Sequence, residues 1–402
     1  MAALSVYKPR NILYTEESIP GYRPGGYHPV TLGDTFNNDR YKVYHKLGWG
    51  GHATAWLAYD TKQKKWVALK IMVAAVSKDS NELHNTQLLQ EASGTDPSTM
   101  RVVEVLDSFM HEGPNGDHRC IVLELLGPSV GKIMRLYTRE EDDTPCPNLI
   151  IRMAEQLLEG LQFMHHAGMA HGDINLGNIV FRSTNLSEAT TERILEVLGE
   201  PYFEKLERLD GKPLDHGQPE YIVEAASWDK WLFEEKEDLC ILDLGEAFVE
   251  GKAPGRLAQP GALQAPETFF VGRFDHTVDL WSAGCMIYSF VFGRCPFFHL
   301  GHDQVLVEQM IGFVEALPEE WTEQWIEMRD KSKYHGPPDV NNGKQNTELE
   351  RNFTDSSVDP ALAVLLPVIQ GLMRFRPSDR LSASEALDLL RSKKAASRNT
   401  QA

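Results

Sequence analysis

The chain changes character once, near Gly127, and that change limits what it can fold into. Between residues 40 and 126, short runs rich in β-branched and aromatic residues dominate, at 41–47, 54–59, 66–73, 102–109 and 120–124. One helical stretch, 77–91, interrupts them. Beyond Gly127, Ile150, Met153, Leu157, Leu161 and Met164 recur at spacings of three and four and mark one apolar helix face. Further helices fit 275–292 and 382–390, the second opened by Ser382 with Glu385 three residues on. The expectation is an α+β, bilobal architecture: a small antiparallel-sheet N-terminal lobe with one helix (40–126), then a larger, mostly helical C-terminal lobe (127–392).

Four segments lie outside this pattern. Residues 1–39 are rich in Gly, Pro and Tyr without periodicity and read as an extended arm. Residues 183–236 read as a spacer inserted in the second lobe, with a short helix pattern at 191–198. Residues 331–355 are polar, carry Pro-Pro and Asn-Asn-Gly, and read as a mobile loop. The basic, small-residue tail, 393–402, reads as disordered.

Composition enters mainly as exclusion. A formal net charge of −18 over 402 residues argues against direct nucleic-acid binding and permits attraction to basic partners. No apolar run approaches the roughly 18 residues of a membrane span. The N-terminus lacks an apolar signal core, so a cytoplasmic or nuclear protein without membrane association is expected. Cys120, Cys146, Cys240, Cys285 and Cys295 form no CxxC pair and are expected to be buried free thiols.

Four motifs carry chemistry. In Leu47-Gly48-Trp49-Gly50-Gly51-His52-Ala53, small residues at 48, 50 and 53 let a hairpin backbone close over phosphates. A glycine-rich turn without a ligand explains that motif equally well. Lys70, in Val67-Ala68-Leu69-Lys70, stands in an apolar strand, and an ammonium buried there needs a charged partner. Glu82 is the candidate partner and Glu91 the alternative; a surface lysine on an edge strand also fits.

The third motif, His171-Gly172-Asp173-Ile174-Asn175-Leu176-Gly177-Asn178, sets Asp173 and Asn178 five residues apart. That spacing in a loop can put one carboxylate at a substrate hydroxyl and one amide carbonyl on a metal. The fourth is an apolar run ending in Asp243-Leu244-Gly245, which delivers a carboxylate to Mg²⁺, with Gly245 permitting a sharp turn. Singly, each is also explained as a capped turn. In this order, after the lysine strand, they point to phosphoryl transfer. Ala265-Pro266-Glu267, Asp279 and Arg380 match a kinase pattern of buried ionic contacts and are read as architectural.

From about residue 40 to 390 the chain resembles the eukaryotic protein kinases, and most of all the SR-protein kinases and their fungal relatives. The arm Tyr22-Arg23-Pro24-Gly25-Gly26-Tyr27-His28-Pro29-Val30, then Gly33-Asp34, Leu47-Gly48-Trp49-Gly50 and Trp56-Leu57-Ala58, carries the likeness. The spacer between Asn178 and Asp243 resembles the one that splits those kinases. The resemblance implies ATP with Mg²⁺ as donor and Ser or Thr hydroxyls as acceptors, in a basic Arg/Ser-rich protein substrate. It implies that Lys70 holds phosphates, Asp173 deprotonates the acceptor, and Asn178 and Asp243 bind Mg²⁺. Glu124 and Leu126 would contact adenine through their backbone, with Leu47, Ala55 and Ala68 sandwiching the ring and Leu123 behind it. A monomer is expected.

Two departures bear on activity. Gly172 replaces the arginine that docks an activation-loop phosphate, and residues 246–264 contain no Ser, Thr or Tyr. Activation by phosphorylation of that loop is therefore not expected. Asn175 replaces the lysine that neutralises the transferred phosphoryl, and Pro260 stands where a threonine would bond that lysine. Losing a transition-state cation can cost on the order of 10²–10³ in rate.

Three functions compete. A Ser/Thr kinase for Arg/Ser-rich segments leads, with Asp303, Glu308, Glu315, Glu319 and Glu320 offered as a cradle for arginines or, more simply, as a solvated helix face. An ATP-binding pseudokinase scaffold follows from Asn175 and Pro260. A small-molecule kinase shares the His-Gly-Asp-x-x-x-x-Asn loop but not Ala265-Pro266-Glu267, Asp279 or Arg380.

Overall fold

The computed structural model describes residues 6–8, 16–94, 100–137, 145–182, 185–231, 238–299, 301–331, 346–355 and 357–400, with side chains to residue 396. The chain forms two units, one of Met1–Gln87, Val103–Pro128 and Phe181–Glu237, the other of Leu88–Val102, Ser129–Val180 and Asp238–Ala402.

The first unit is built on strands β1 (Thr35–Phe36), β2 (Tyr41–Gly50), β3 (Ala53–Asp60), β4 (Lys65–Met72), β5 (Val105–Gly113) and β6 (Gly116–Glu124). They pair antiparallel in the order β1-β2-β3-β4-β6-β5. Strand β4 shows why the sheet has two different faces. Val67, Leu69 and Ile71 are fully buried, while Ala68 and Lys70 between them are half-buried, the period of two that a pleated strand imposes. Val67, Leu69 and Ile71 pack with Tyr41, Trp56 and Val122, and burying each aliphatic side chain contributes about 1.5–3 kcal/mol. Helix α1 (Glu82–Ala92) follows β4 after a 3-10 turn at Ala74–Val76. It starts five residues later than the sequence pattern suggests.

The arm is not a free extended segment. Ile19, Tyr22 and Tyr27 are buried with Val73, Leu206 and Ile222, and Val30 and Phe36 join the sheet core. Beneath them, Lys46 of β2 pairs with Glu17, which also accepts from the Tyr22 hydroxyl. Residues 1–5 and 9–15 of the arm lie outside the described residues.

The spacer, expected with the helical lobe, groups instead with this sheet unit. Side chains explain why. Lys46 Nζ also donates to the Val223 carbonyl at 3.2 Å, and Trp66 donates its indole N–H to Ala189 at 2.8 Å. The Trp231 ring sits so close to Gly127 that a Cβ there would lie 2.4 Å from it. Within the spacer, the helix Thr191–Leu198 forms as expected, and Phe203–Lys205 pairs with Tyr221–Val223.

The second unit holds helices α2 (Pro147–His166), α3 (Thr277–Phe292) and α4 (Ala383–Thr400). Helix α2 buries Ile150, Met153, Leu157, Leu161 and Met164, the stripe read from their spacing. Helix α3 is apolar nearly all round and correspondingly buried, and ends on Gly293 in the left-handed region. Ser382 and Glu385 cap α4 reciprocally.

Three expectations need correction here. The tail is helical through Thr400, where α4 ends, with Arg391 just before the tail paired to Glu159 and Lys394 within it to Glu155 at 2.6 and 2.5 Å, and residues 401–402 lie outside the described residues. Of the polar loop, residues 346–355 are ordered around the helix Glu348–Phe353 with a Thr347–Glu350 capping box, and 332–345 lie outside the described residues. Cys120, Cys240 and Cys285 are buried free thiols, but Cys146 and Cys295 are exposed. Among the described residues, no helix is long and apolar enough to cross a membrane.

Candidate active site

The first unit contributes one polar pair and one open sheet face. Lys70 donates to Glu82 Oε1 at 2.6 Å, and both side chains are largely shielded from solvent. Glu82 can meet Lys70 because it opens α1 directly after the turn that leaves β4. Glu91, the alternative, is exposed. Cross-strand pairs Ala55↔Lys70 and Ala68↔Leu123 put Ala55, Ala68, Lys70 and Leu123 on one sheet face. Leu47, Ala55, Ala68 and Leu123 are only half-buried there, in contrast to the packed face opposite. Glu124 closes β6, its carboxylate held by Arg182 at 2.6 Å, and Leu126 just beyond it is buried.

The glycine-rich hairpin joins β2 to β3. Around Gly48, Gly50 and Gly51 no atom lies within 4 Å of a notional Cβ, so these glycines expose backbone and are not forced by crowding. Trp49 is exposed.

The second unit assembles the loop motif. Asp173 receives the Asn175 amide on Oδ1 and the Asn178 amide on Oδ2, each at 3.0 Å. Asn178 also donates to the Asp173 carbonyl at 3.0 Å, and its amide oxygen could serve as a cation ligand. His171 Nδ1 accepts from the Asp173 backbone at 3.2 Å, and Nε2 donates to the Leu242 carbonyl at 3.1 Å. The Leu242 N–H donates to the Asn178 carbonyl at 2.9 Å. These two bonds tie the chain just before Asp243 to the loop of Asp173 and Asn178. Burial pushes the Asp173 carboxyl above its ordinary range and the Asp243 charge adds to this, while the two asparagine amides pull against it.

Asp279 braces this loop from α3. It accepts the backbone N–H groups of His171 and Gly172 at 2.7 and 2.9 Å and His165 Nε2 at 3.0 Å. Burial alone would raise its pKa, but these donors hold the carboxyl below its ordinary range. Glu267 and Arg380 form a bidentate, solvent-free pair at 2.6 and 2.7 Å. Both contacts fit the architectural reading.

The turn after the Asp243 strand differs from expectation. Asp243 itself takes the left-handed conformation, at φ 66°, and Gly245 does not. The residue in the rarer conformation is thus the aspartate itself and not the glycine.

The departures acquire structural causes. Gly172 has φ 79°, and a Cβ there would lie 2.8 Å from the Glu246 carbonyl and 3.3 Å from the Phe248 ring. The place of the phosphate-docking arginine is closed by backbone and by Phe248. Asn175, which the kinase resemblance flagged only as a lost cation, also accepts the Gly177 N–H at 2.8 Å. Its role as a clamp on Asp173, and that of His171, were missed; a His two residues before the Asp was the only available signal.

The proposed acidic cradle is partly spent. Glu315 pairs with Arg374 at 2.5 Å and Glu320 with Arg376 at 2.6 Å, and Asp303 accepts from His299 at 3.2 Å.

Comparison with known proteins places these features. A protein kinase domain model matches residues 41–189. The chain is 27% identical over 392 residues to the serine/threonine-protein kinase SRPK of Physarum polycephalum, covering 93% of this chain and 90% of that protein. It is 36% identical over 169 residues to protein kinase dsk1 of Schizosaccharomyces pombe and 37% over 169 residues to human SRSF protein kinase 3. Those stretches cover 41% of this chain but only 30% and 29% of the two relatives. A solved kinase-domain structure superposes with a TM-score of 0.60 at 18% identity, over 90% of this chain and 98% of that one. That likeness speaks to the fold.

Proposed function

We propose that this chain, which is similar to the SRPK of Physarum polycephalum and to other protein kinases, transfers the γ-phosphoryl of ATP to Ser or Thr hydroxyls in basic, Arg/Ser-rich protein segments. The observation that carries this reading is the formed Lys70–Glu82 pair, in a chain whose residues 246–264 offer no hydroxyl to phosphorylate. In kinases that ion pair must be in place for transfer. Here packing alone sets it.

Lys70 holds the α- and β-phosphates, and the backbone of Gly48, Gly50 and Gly51 covers them. Leu47, Ala55 and Ala68 sandwich adenine, Leu123 lies behind it, and the backbone at Glu124 and Leu126 reads its edge. The acceptor oxygen attacks the γ-phosphorus, its proton passes to Asp173, and the bond to the ADP oxygen breaks. Asn178 and Asp243 supply an oxygen-only donor set, which suits Mg²⁺. Two protein ligands would leave the remaining positions of such an ion to phosphate oxygens and water. When bound, Mg²⁺ neutralises phosphate charge.

The Arg/Ser substrate class rests on the net charge of −18 and on the names of the SRPK and SRSF-kinase relatives. Glu315 and Glu320, already paired, take no part in it. The test is phosphate transfer to Arg-Ser repeat peptides against peptides with Glu in place of Arg. Phosphoserine on the first set alone supports the class; equal rates on both overturn it.

A further inference from the structure

We propose that the arm segment Gly25-Gly26-Tyr27 is a built-in positioning element for nucleotide binding, with Tyr27 as the strut that holds the glycine-rich hairpin. The proposal rests on the kinase reading above.

The hairpin has little packing of its own, since open space surrounds Gly48, Gly50 and Gly51. Among the described residues one of its ties is the Tyr27 hydroxyl, which donates to the Gly50 carbonyl at 2.8 Å. Another is the Val73 N–H on the His52 carbonyl at 2.9 Å. Burial, with the Glu17 charge, raises the Tyr27 phenol above its ordinary range and so keeps it a donor.

Tyr27 is itself fixed from several sides. Its N–H donates to Gly21 at 3.0 Å, and its ring lies where a Cβ on Gly21 would sit at 2.5 Å. The Asn115 amide donates to the Tyr27 carbonyl and to Gly217 of the spacer, each at 2.7 Å. A buried aromatic ring with this many constraints is a stiff support.

The same segment also grips the connection that leads to Glu82. The N–H groups of Ala74 and Ala75 donate to Gly26 and Gly25 at 3.1 and 2.8 Å. Those alanines follow β4, which carries Lys70, and precede α1, which Glu82 opens. Three arm residues therefore brace both the phosphate-covering hairpin and the chain between Lys70 and its partner. In a kinase with no hydroxyl in residues 246–264, a permanent internal brace replaces a switched one.

The test is Tyr27→Phe, which keeps the ring and removes only the donor. Binding of Mg-ATP and of adenosine, which lacks phosphates, is measured on wild type and variant, with hydrogen exchange at residues 50–53. We expect Mg-ATP affinity to fall about three- to tenfold, the worth of one hydrogen bond, with adenosine affinity unchanged and exchange at 50–53 faster. A KM for ATP that rises while kcat at saturating ATP holds is the kinetic counterpart. Should Tyr27→Phe fold poorly, Asn115→Ala loosens the same strut from its far side and is expected to show the same split. Equal loss for both ligands, or no loss, overturns the strut; wild type that binds no Mg-ATP overturns the kinase reading itself.

Discussion

Asn175 places its amide nitrogen 3.0 Å from Asp173 Oδ1, at the position where the kinase resemblance leads one to expect a lysine. The substitution removes a positive charge but not a ligand for the base. With Asn178 on Oδ2 at the same distance, the carboxylate is held by two neutral donors. Its rotamer is thereby fixed by neighbours within its own loop.

Removing one of those donors should be visible in a pH profile. Burial already raises the Asp173 pKa, and Asn175 opposes that rise. In Asn175→Ala the base stays protonated to higher pH, so the acid limb of kcat/KM moves upward. Transfer at neutral pH should fall roughly tenfold, the value of a hydrogen bond to a charged group.

Gly172 should tolerate no side chain. Gly172→Ala forces a Cβ into φ 79° and against the Glu246 carbonyl at 2.8 Å, at a cost of about 1–3 kcal/mol. A lowered thermal midpoint checks this. Gly172→Arg should be worse and should not make activity phosphorylation-dependent.

The arm is stitched down by a buried charge. The Lys46 and Glu17 side chains are 0% and 1% exposed, so Glu17→Ala strands an ammonium and should cost about 3–5 kcal/mol in urea unfolding. The double change Glu17→Leu with Lys46→Met should recover most of that loss. If the single and double variants lose equally, the pair is not what holds the arm.

Acid should loosen the same region. His28 of the arm faces His111 and His118 at ring distances of 4.6 and 5.0 Å. Asp34 and Asp117 are the acidic groups acting on this cluster. His28 Nδ1 and His118 Nε2 are buried without partners. Burial, then the neighbouring histidines, lower the His28 pKa to about 3. Folding therefore favours the neutral ring, and its stability contribution is full above the unfolded pKa near 6.5. It is lost as pH falls below that value, by about 2 kcal/mol at pH 5. Unfolding midpoints at pH 7 and pH 5 should differ less in His28→Phe than in wild type.

What was legible in the chain follows the range of the interactions. Lys70, Asp173, Asn178 and Asp243 each lie in a short contiguous motif, so the motifs and their order could be read from the chain. Glu82 against Glu91 turned on where α1 begins, and the 3-10 turn at Ala74–Val76 decided it. How the arm and spacer pack had no local signal, because Tyr22 and Tyr27 are buried with residues far along the chain, Leu206 and Ile222, and carry no local period. The left-handed Asp243 and Gly172 were equally hidden, since a backbone angle set by its surroundings has no compositional trace. Helix α4 outran its apolar stripe because Arg391 and Lys394 continue it through ion pairs.

Single-turnover transfer of the γ-phosphoryl to an Arg-Ser repeat peptide tests the proposed role of Asp173 most directly. Wild type and Asp173→Ala are compared with Mg-ATP binding measured on both. Near-equal nucleotide binding is expected, with transfer slower by about 10²–10⁴ in the variant, the usual worth of a general base. Wild type that binds Mg-ATP yet transfers no faster than Asp173→Ala would contradict that role.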